Sequence, residues 1–212
     1  MITHVIWDWN GTLLDDADYA TGVVNEVLKK YGKPTLRDTD EYRKFFCFPV
    51  LKYYEAIGLG GALYDEAAVE WCAGYAHNEK SCPLRAGIPE VLEALRKMNV
   101  TQAVVSASPE NLLQKQVTER GIAPYFVRMM GLDNIHARSK AHIAKAYIDG
   151  AGVRPENVLF IGDTLHDDEV ARAAGCRAVL LKGGHQLAQM LKDAGCTVLD
   201  DAGALPGYIG AQ

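Results

Sequence analysis

The chain has 212 residues, 49% of them hydrophobic and 23% charged, with a formal net charge of -5. That is the make-up of an ordinary globular protein, with length for one domain or one domain carrying an insert. No clustered Lys/Arg run is present to track a phosphate backbone, and no apolar stretch approaches membrane-spanning length, so nucleic-acid binding and membrane insertion are not expected.

Elements alternate along most of the chain. His4-Val5-Ile6-Trp7 reads as a buried strand. The segment from about Asp16 to Ser81 lacks strand signal and reads as helices over Tyr19 to Tyr31, Asp38 to Phe45, Pro49 to Ile57 and Tyr64 to Glu79. Apolar residues at Val91, Leu92 and Leu95 predict a helix from Pro89 to Met98. Gln102 to Val105 is the next strand, and Ser108-Pro109-Glu110 has the form of a helix N-cap, N1 proline and first-turn acid. A weaker strand over Tyr125 to Met130 precedes a helix from Ser139 to Ala151. Val158 to Ile161 and Ala178 to Leu181 are clear strands around a helix from about Asp167 to Gly175, and Thr197 to Leu199 is a candidate last strand. Continuous apolar strands separated by helices predict an α/β fold, a Rossmann-like parallel sheet flanked by helices. The expected division is an α/β core over residues 1–15 and 82–212, with an inserted all-helical domain at 16–81. Five scattered cysteines without a CxxC pair predict reduced thiols. Met1-Ile2-Thr3-His4 lacks the basic start and apolar core of a secretory signal, which makes the cytoplasm the expected compartment.

Ligands of open α/β sheets bind beyond the carboxyl ends of the strands. Polar groups fall at these ends: Asp8 after the first strand, Ser106 after the second, Asp163 after the fourth with Asp167 one helical turn on, and Lys140 opening the helix after the third. Singly, each has a plain alternative. Ser106 can be a turn residue, Lys140 a solvated lysine, Asp167 a helix cap and Asp163 a turn aspartate. Asp8 is hardest to dismiss, because a carboxylate ending an apolar strand needs a partner. Their combination, in this order, favours a site.

These residues resemble the motifs of the haloacid dehalogenase-like hydrolase superfamily. Its Asp-x-Asp-Gly-Thr matches Asp8-Trp9-Asn10-Gly11-Thr12 except at Asn10. Its strand-ending Ser/Thr matches Ser106, its helix-start lysine matches Lys140, and its Gly-Asp-Thr followed by a second acid matches Gly162-Asp163-Thr164 with Asp167. The helical insert is similar to the small cap of that family. The resemblance implies a phosphatase acting on a small phosphorylated metabolite. Asp8 would be the nucleophile that forms an aspartyl-phosphate. Mg²⁺ would be held by Asp8, the Asn10 backbone carbonyl and Asp163, with Asp167 in support. Ser106, the Ala107 amide and Lys140 would hold the phosphoryl oxygens.

Asn10 stands where the family places the acid that protonates the leaving group. Proton transfer of this kind is worth roughly 10²–10⁴ in rate, so a slow reaction, or one favouring good leaving groups, is expected. His166, next to Asp163 and Asp167, is one substitute, although a surface position is its plainer reading. For specificity, Arg43, Lys44, Phe46 and Phe48, with Asp15 and Asp16 at the hinge, are the candidates. Core packing is the plainer reading for the phenylalanines and solvated surface for Arg43 and Lys44.

Three other readings stay open. A non-catalytic phospho-ligand binder or regulatory protein needs no acid at position 10. A phosphonate-cleaving enzyme needs an insert lysine for a Schiff base, for which Lys29, Lys30, Lys44 and Lys52 are available. A dehalogenase has little use for both Asp163 and Asp167.

Overall fold

The computed structural model describes residues 1–132 and 139–211. A six-stranded sheet in the order β3-β2-β1-β4-β5-β6 forms its centre, with every pairing parallel. The strands are β1 (His4–Trp7), β2 (Thr101–Pro109), β3 (Arg128–Leu132), β4 (Val158–Gly162), β5 (Arg177–Leu181) and β6 (Val198–Leu199). Helices α1 (Ala17–Lys30), α2 (Thr39–Phe45), α3 (Val50–Ala56) and α4 (Tyr64–Asn78) fall between β1 and β2, and α5 (Ile88–Lys97) leads into β2. Then come α6 (Glu110–Glu119), α7 (Ala141–Ala151), α8 (Leu165–Ala174), α9 (Ala188–Asp193) and α10 (Leu205–Gly210).

The pleat sends alternate residues of β1 to opposite faces. Val5 and Trp7 join Val104, Leu159 and Ile161 under Leu92, Leu95, Leu113 and Val117 of α5 and α6. Ile6 joins Ala103, Val105 and Phe160 under Ala144, Ile148, Val170 and Ala171 of α7 and α8. Helices on both faces bury the middle of each central strand, which is why these strands read as apolar runs. Buried residues of α1 to α4 form a separate cluster that includes Val24, Leu28, Tyr42, Tyr53, Leu59 and Tyr75.

Several local expectations change. Ser108 is not a helix cap: β2 runs on through Pro109, and α6 starts at Glu110. The register of β2 against β3 shifts between Val105 and Pro109, a bulge of the kind that re-aims side chains at a site. The third strand lies at Arg128–Leu132, later than Tyr125 to Met130. Helix α8 begins at Leu165, two residues earlier than expected, and Asp167 stays in its first turn. Short α9 and α10 carry too few periodic residues to be read in advance. Among the described residues, no helix is long and apolar enough to cross a membrane, and all five cysteines are free thiols.

Candidate active site

Parallel β1, β2 and β4 run to one edge, where Asp8 and Asp163 lie just past the ends of β1 and β4, while Ser106, expected after its strand, lies inside β2 at the register shift. The Asp8 amide donates to the Ile161 carbonyl at 2.8 Å, extending the ladder by one residue and presenting Asp8 beyond it. Asp8, Ser106, Lys140, Asp163 and Asp167 are all buried. Lys140, at the N-terminal boundary of α7, bridges two acids: its ammonium pairs closely with Asp8 and lies 2.8 Å from an Asp167 oxygen. The other Asp167 oxygen accepts from the backbone amides of Asp163 and Thr164 at 3.1 and 2.9 Å and from the Thr164 hydroxyl at 2.7 Å. Asp163 accepts from the Thr12 hydroxyl at 2.8 Å and from the His185 amide at 2.6 Å. Oxygens of Asp8, Asp163 and Asp167 lie within 4.8 Å of one another.

Gly11 makes this convergence possible. Its φ of +71° favours glycine, and a Cβ there would overlap the Asp163 carboxylate and come within 2.6 Å of the His185 ring. The flanking indoles each find a partner: Trp7 donates to Gln102 at 3.1 Å and Trp9 to Gln116 at 2.7 Å.

Asn10 turns toward the hinge. Its amide nitrogen donates to Asp16 at 2.8 Å and to the Tyr75 hydroxyl at 2.9 Å, while its oxygen accepts from the Ser108 hydroxyl at 2.8 Å. Asp16 also accepts from the Gly11 amide at 2.8 Å and the Tyr75 hydroxyl at 2.5 Å, and its carboxylate lies 3.2 Å from Nε2 of His185. The other ring nitrogen of His185 is 2.8 Å from the Tyr42 hydroxyl.

Burial and charge set the protonation states. Burial pushes the Asp8 carboxyl up to about 8, with Lys140 opposing and Asp167 and Asp163 adding to the rise. Burial likewise raises Asp163. Burial alone would lower Lys140, but Asp167 and Asp8 outweigh it and hold the ammonium charged. For His185, burial is outweighed by Asp16, with Asp163 and Asp8 assisting, and the imidazole is raised to about 9. Burial would raise Asp16, yet His185, Tyr75 and Asn10 together keep it below the usual carboxylate range.

With every group ionised, the four carboxylates of Asp8, Asp16, Asp163 and Asp167 face only Lys140 and His185. Two buried negative charges are left over, an arrangement a protein avoids unless a cation completes it. Oxygen donors from carboxylates suit a hard divalent ion such as Mg²⁺, so the residues present fit one.

The site forms the floor of a cavity of about 270 Å³ whose walls include Tyr42, Phe46, Phe48, Trp71, Tyr75 and Leu112. Phe46 and Phe48, candidates for facing the site with core packing as the plainer reading, line the cavity. Arg43 is half-buried and outside the cavity; it donates to the carbonyls of Gly184 and Gly183 at 2.8 and 3.0 Å. Lys44 is exposed. His166 is buried, not a surface residue, because it stacks on Phe48 at 4.4 Å. Lys145 pairs with Asp149 at 2.9 Å on the surface, away from the cavity. Sequence reasoning missed His185. The strand-end rule, applied to β5 and the Gly183-Gly184 turn that follows it, points there.

Comparison with known proteins agrees with this geometry. The pattern of the haloacid dehalogenase-like hydrolases matches residues 5–181. The chain belongs to that family. A phosphoglycolate phosphatase of Pectobacterium atrosepticum is 31% identical, over 90% of this chain and 85% of its own length. Phosphoglycolate phosphatase 1 of Pseudomonas aeruginosa is 24% identical, over 93% of this chain and 75% of its own. Among solved structures, a haloacid dehalogenase-like protein of Agrobacterium tumefaciens superposes with a TM-score of 0.79 at 25% identity, covering 100% of this chain and 99% of its own. A hydrolase of the same family from Streptococcus pneumoniae gives 0.84 at 20% identity, covering 98% of both chains.

Proposed function

We propose that this enzyme, a phosphatase of the haloacid dehalogenase-like family, hydrolyses small phosphorylated metabolites through an aspartyl-phosphate on Asp8 and depends on Mg²⁺. The relatives' names make phosphoglycolate one candidate substrate. The observation that carries the reading is the buried set of Asp8, Lys140, Asp163 and Asp167 on the floor of a cavity.

Asp8 attacks phosphorus, the phosphorus–oxygen bond of the ester breaks, and water later cleaves the acyl phosphate, so one hard step becomes two. The Asp8 and Asp163 carboxylates and the Asn10 carbonyl would hold Mg²⁺, whose positive charge offsets the repulsion between Asp8 and a phosphate dianion. Lys140, Ser106 and the Ala107 amide neutralise and orient the phosphoryl oxygens. Asp167, with one oxygen engaged by backbone amides, keeps Lys140 in place. Residues 16–81 serve as the cap that walls the cavity and excludes water.

Asn10 donates no proton, and its amide is already committed to Asp16 and Tyr75. Esters with poor leaving groups therefore turn over slowly, while acyl and aryl phosphates, which need little protonation, are cleaved fastest. The phosphonate-cleaving alternative finds no support: among the described residues, Lys29, Lys30, Lys44 and Lys52 do not line the cavity.

The test is phosphate release from acetyl phosphate and a panel of metabolite esters, with Mg²⁺ and with a chelator. Mg²⁺-dependent release supports the reading. Binding of a phosphate analogue with no release from any substrate replaces it with a silent binder.

A further inference from the structure

The cavity walls say more about the leaving group than the motifs do. Above the carboxylates the surface is built from ring faces. Tyr42 stacks on Phe46 at 5.3 Å, Phe46 meets Phe48 edge-on at 5.6 Å, and Trp71 stacks on Tyr75 at 4.8 Å. Leu112 closes another side.

The hydroxyls of Tyr42 and Tyr75 and the polar groups of Asn10 and Ser108 are already engaged. The Tyr42 hydroxyl is 2.8 Å from His185, and the Tyr75 hydroxyl donates to Asp16 at 2.5 Å. The Asn10 amide donates to Asp16 and Tyr75, and the Ser108 hydroxyl donates to Asn10. Cations are committed as well. Among the described residues lining the cavity, the cationic side chains are Lys140, held by Asp8 and Asp167, and His185, held by Asp16. Arg43, the nearby cap cation, spends its guanidinium on Gly183, Gly184 and Asp40.

A carboxylate on the leaving group would lose its water and meet ring faces instead of a cation, above a floor that is itself acidic. A polyhydroxylated leaving group would lose its hydrogen bonds to water and find Tyr42, Tyr75, Asn10 and Ser108 already engaged with one another and with Asp16 and His185. A ring of carbon loses nothing by entry and buries its surface against the aromatics.

We infer that the substrate is the phosphate monoester of an uncharged, ring-bearing apolar alcohol, recognised by Phe46, Phe48, Trp71 and Leu112, and not a phosphorylated carboxylic acid. This inference rests on the reading of the site as a phosphatase. It parts from the substrate in the relatives' names.

The test compares kcat/KM of the Mg²⁺-loaded protein for benzyl phosphate, phosphoglycolate and glycerol 3-phosphate. All three are esters of unactivated alcohols, so leaving-group reactivity does not decide the order. Acetyl phosphate, which has no ring, reports phosphatase chemistry separately. Benzyl phosphate is expected to exceed both others by at least about tenfold, the low end of what one mismatched apolar contact is worth. Trp71→Ala is expected to lower the ratio of benzyl to acetyl phosphate by about the same factor. Phe48→Arg, at a half-buried position, is expected to shift preference toward phosphoglycolate by supplying a cation beside the leaving group.

If acetyl phosphate is hydrolysed but phosphoglycolate equals or surpasses benzyl phosphate, the inference is overturned and the phosphatase stands. If Trp71→Ala leaves the ratio unchanged while remaining folded by circular dichroism, it is also overturned. If no substrate releases phosphate, both readings fall together.

Discussion

Asn10 donates its side-chain amide to Asp16 across 2.8 Å, and this bond joins the nucleophile loop to the start of the helical insert. Tyr75 of α4 completes the triangle by donating to the same Asp16 oxygen. The residue that lacks an acid's proton is therefore occupied in holding two parts of the chain together.

Restoring the acid alone should not restore the chemistry. Asn10→Asp sets a second carboxylate against buried Asp16 and removes the donor that satisfied it, costing about 2–4 kcal/mol of stability. Asp16→Asn on top of it supplies an amide in the opposite place. The double variant is expected to recover at least half of the loss, as a double-mutant cycle in urea would report. Additive losses would mean that the two side chains do not interact.

Asp8→Asn keeps the shape and removes the nucleophile. Turnover of acetyl phosphate is expected to fall by on the order of 10³-fold or more. Mass spectrometry of the quenched reaction should find a phosphoryl adduct on Asp8 in the parent and none in the variant. Residual activity near that of the parent would remove the covalent mechanism.

Lys140→Met leaves Asp8 and Asp167 buried without their shared cation. In metal-free buffer at pH 8, chemical denaturation should show a loss of about 3–5 kcal/mol. Lys145→Met, at an exposed i,i+4 pair, should change stability by less than about 0.5 kcal/mol.

The pH profile of the metal-free protein follows from His185 and Asp8. Both titrate higher in the fold than their ordinary values, at about 9 and about 8, so the folded state holds protons that the unfolded chain has released. The His185 contribution is complete below its ordinary value of 6.5 and is lost as pH rises through about 9. For Asp8 the loss runs from its ordinary 3.8 to about 8. In a chelator, the urea midpoint should therefore fall between pH 6 and pH 9.5, and Asp16→Asn should flatten the part due to His185. Saturating Mg²⁺ should shrink the slope, since the ion takes the place of the protons, and Mg²⁺ affinity should rise with pH over the same window. A midpoint that climbs with pH in the chelator would contradict these charge states.

Much of the molecule was legible because its signals are local. Asp8 and Asp163 are found just past the ends of β1 and β4, where parallel strands must deliver them, Ser106 lies inside β2 at its register shift, and the helices of residues 16–81 agree with their expected bounds to within about two residues. Ser108 was misread because a serine before proline and glutamate has the local form of a cap. Its partner, Asn10, is 98 residues away in sequence, and no local rule sees that. His185 and the wall residues Tyr42, Trp71 and Tyr75 were hidden for the same reason. Tyr42 or Trp71 in a helix gives the same periodicity whether it faces a core or a cavity, and only the packing of the insert over the sheet edge decides.

Gly11 divides this protein for anyone who would redesign it. With Asp163 and His185 standing where its side chain would be, the stretch around the nucleophile admits almost no alteration without dismantling the site. The rings of Phe46, Phe48 and Trp71 bear on the same cavity from elements that hold none of the carboxylates. New substrates are to be sought by rewriting that wall, one ring at a time, over an unaltered floor.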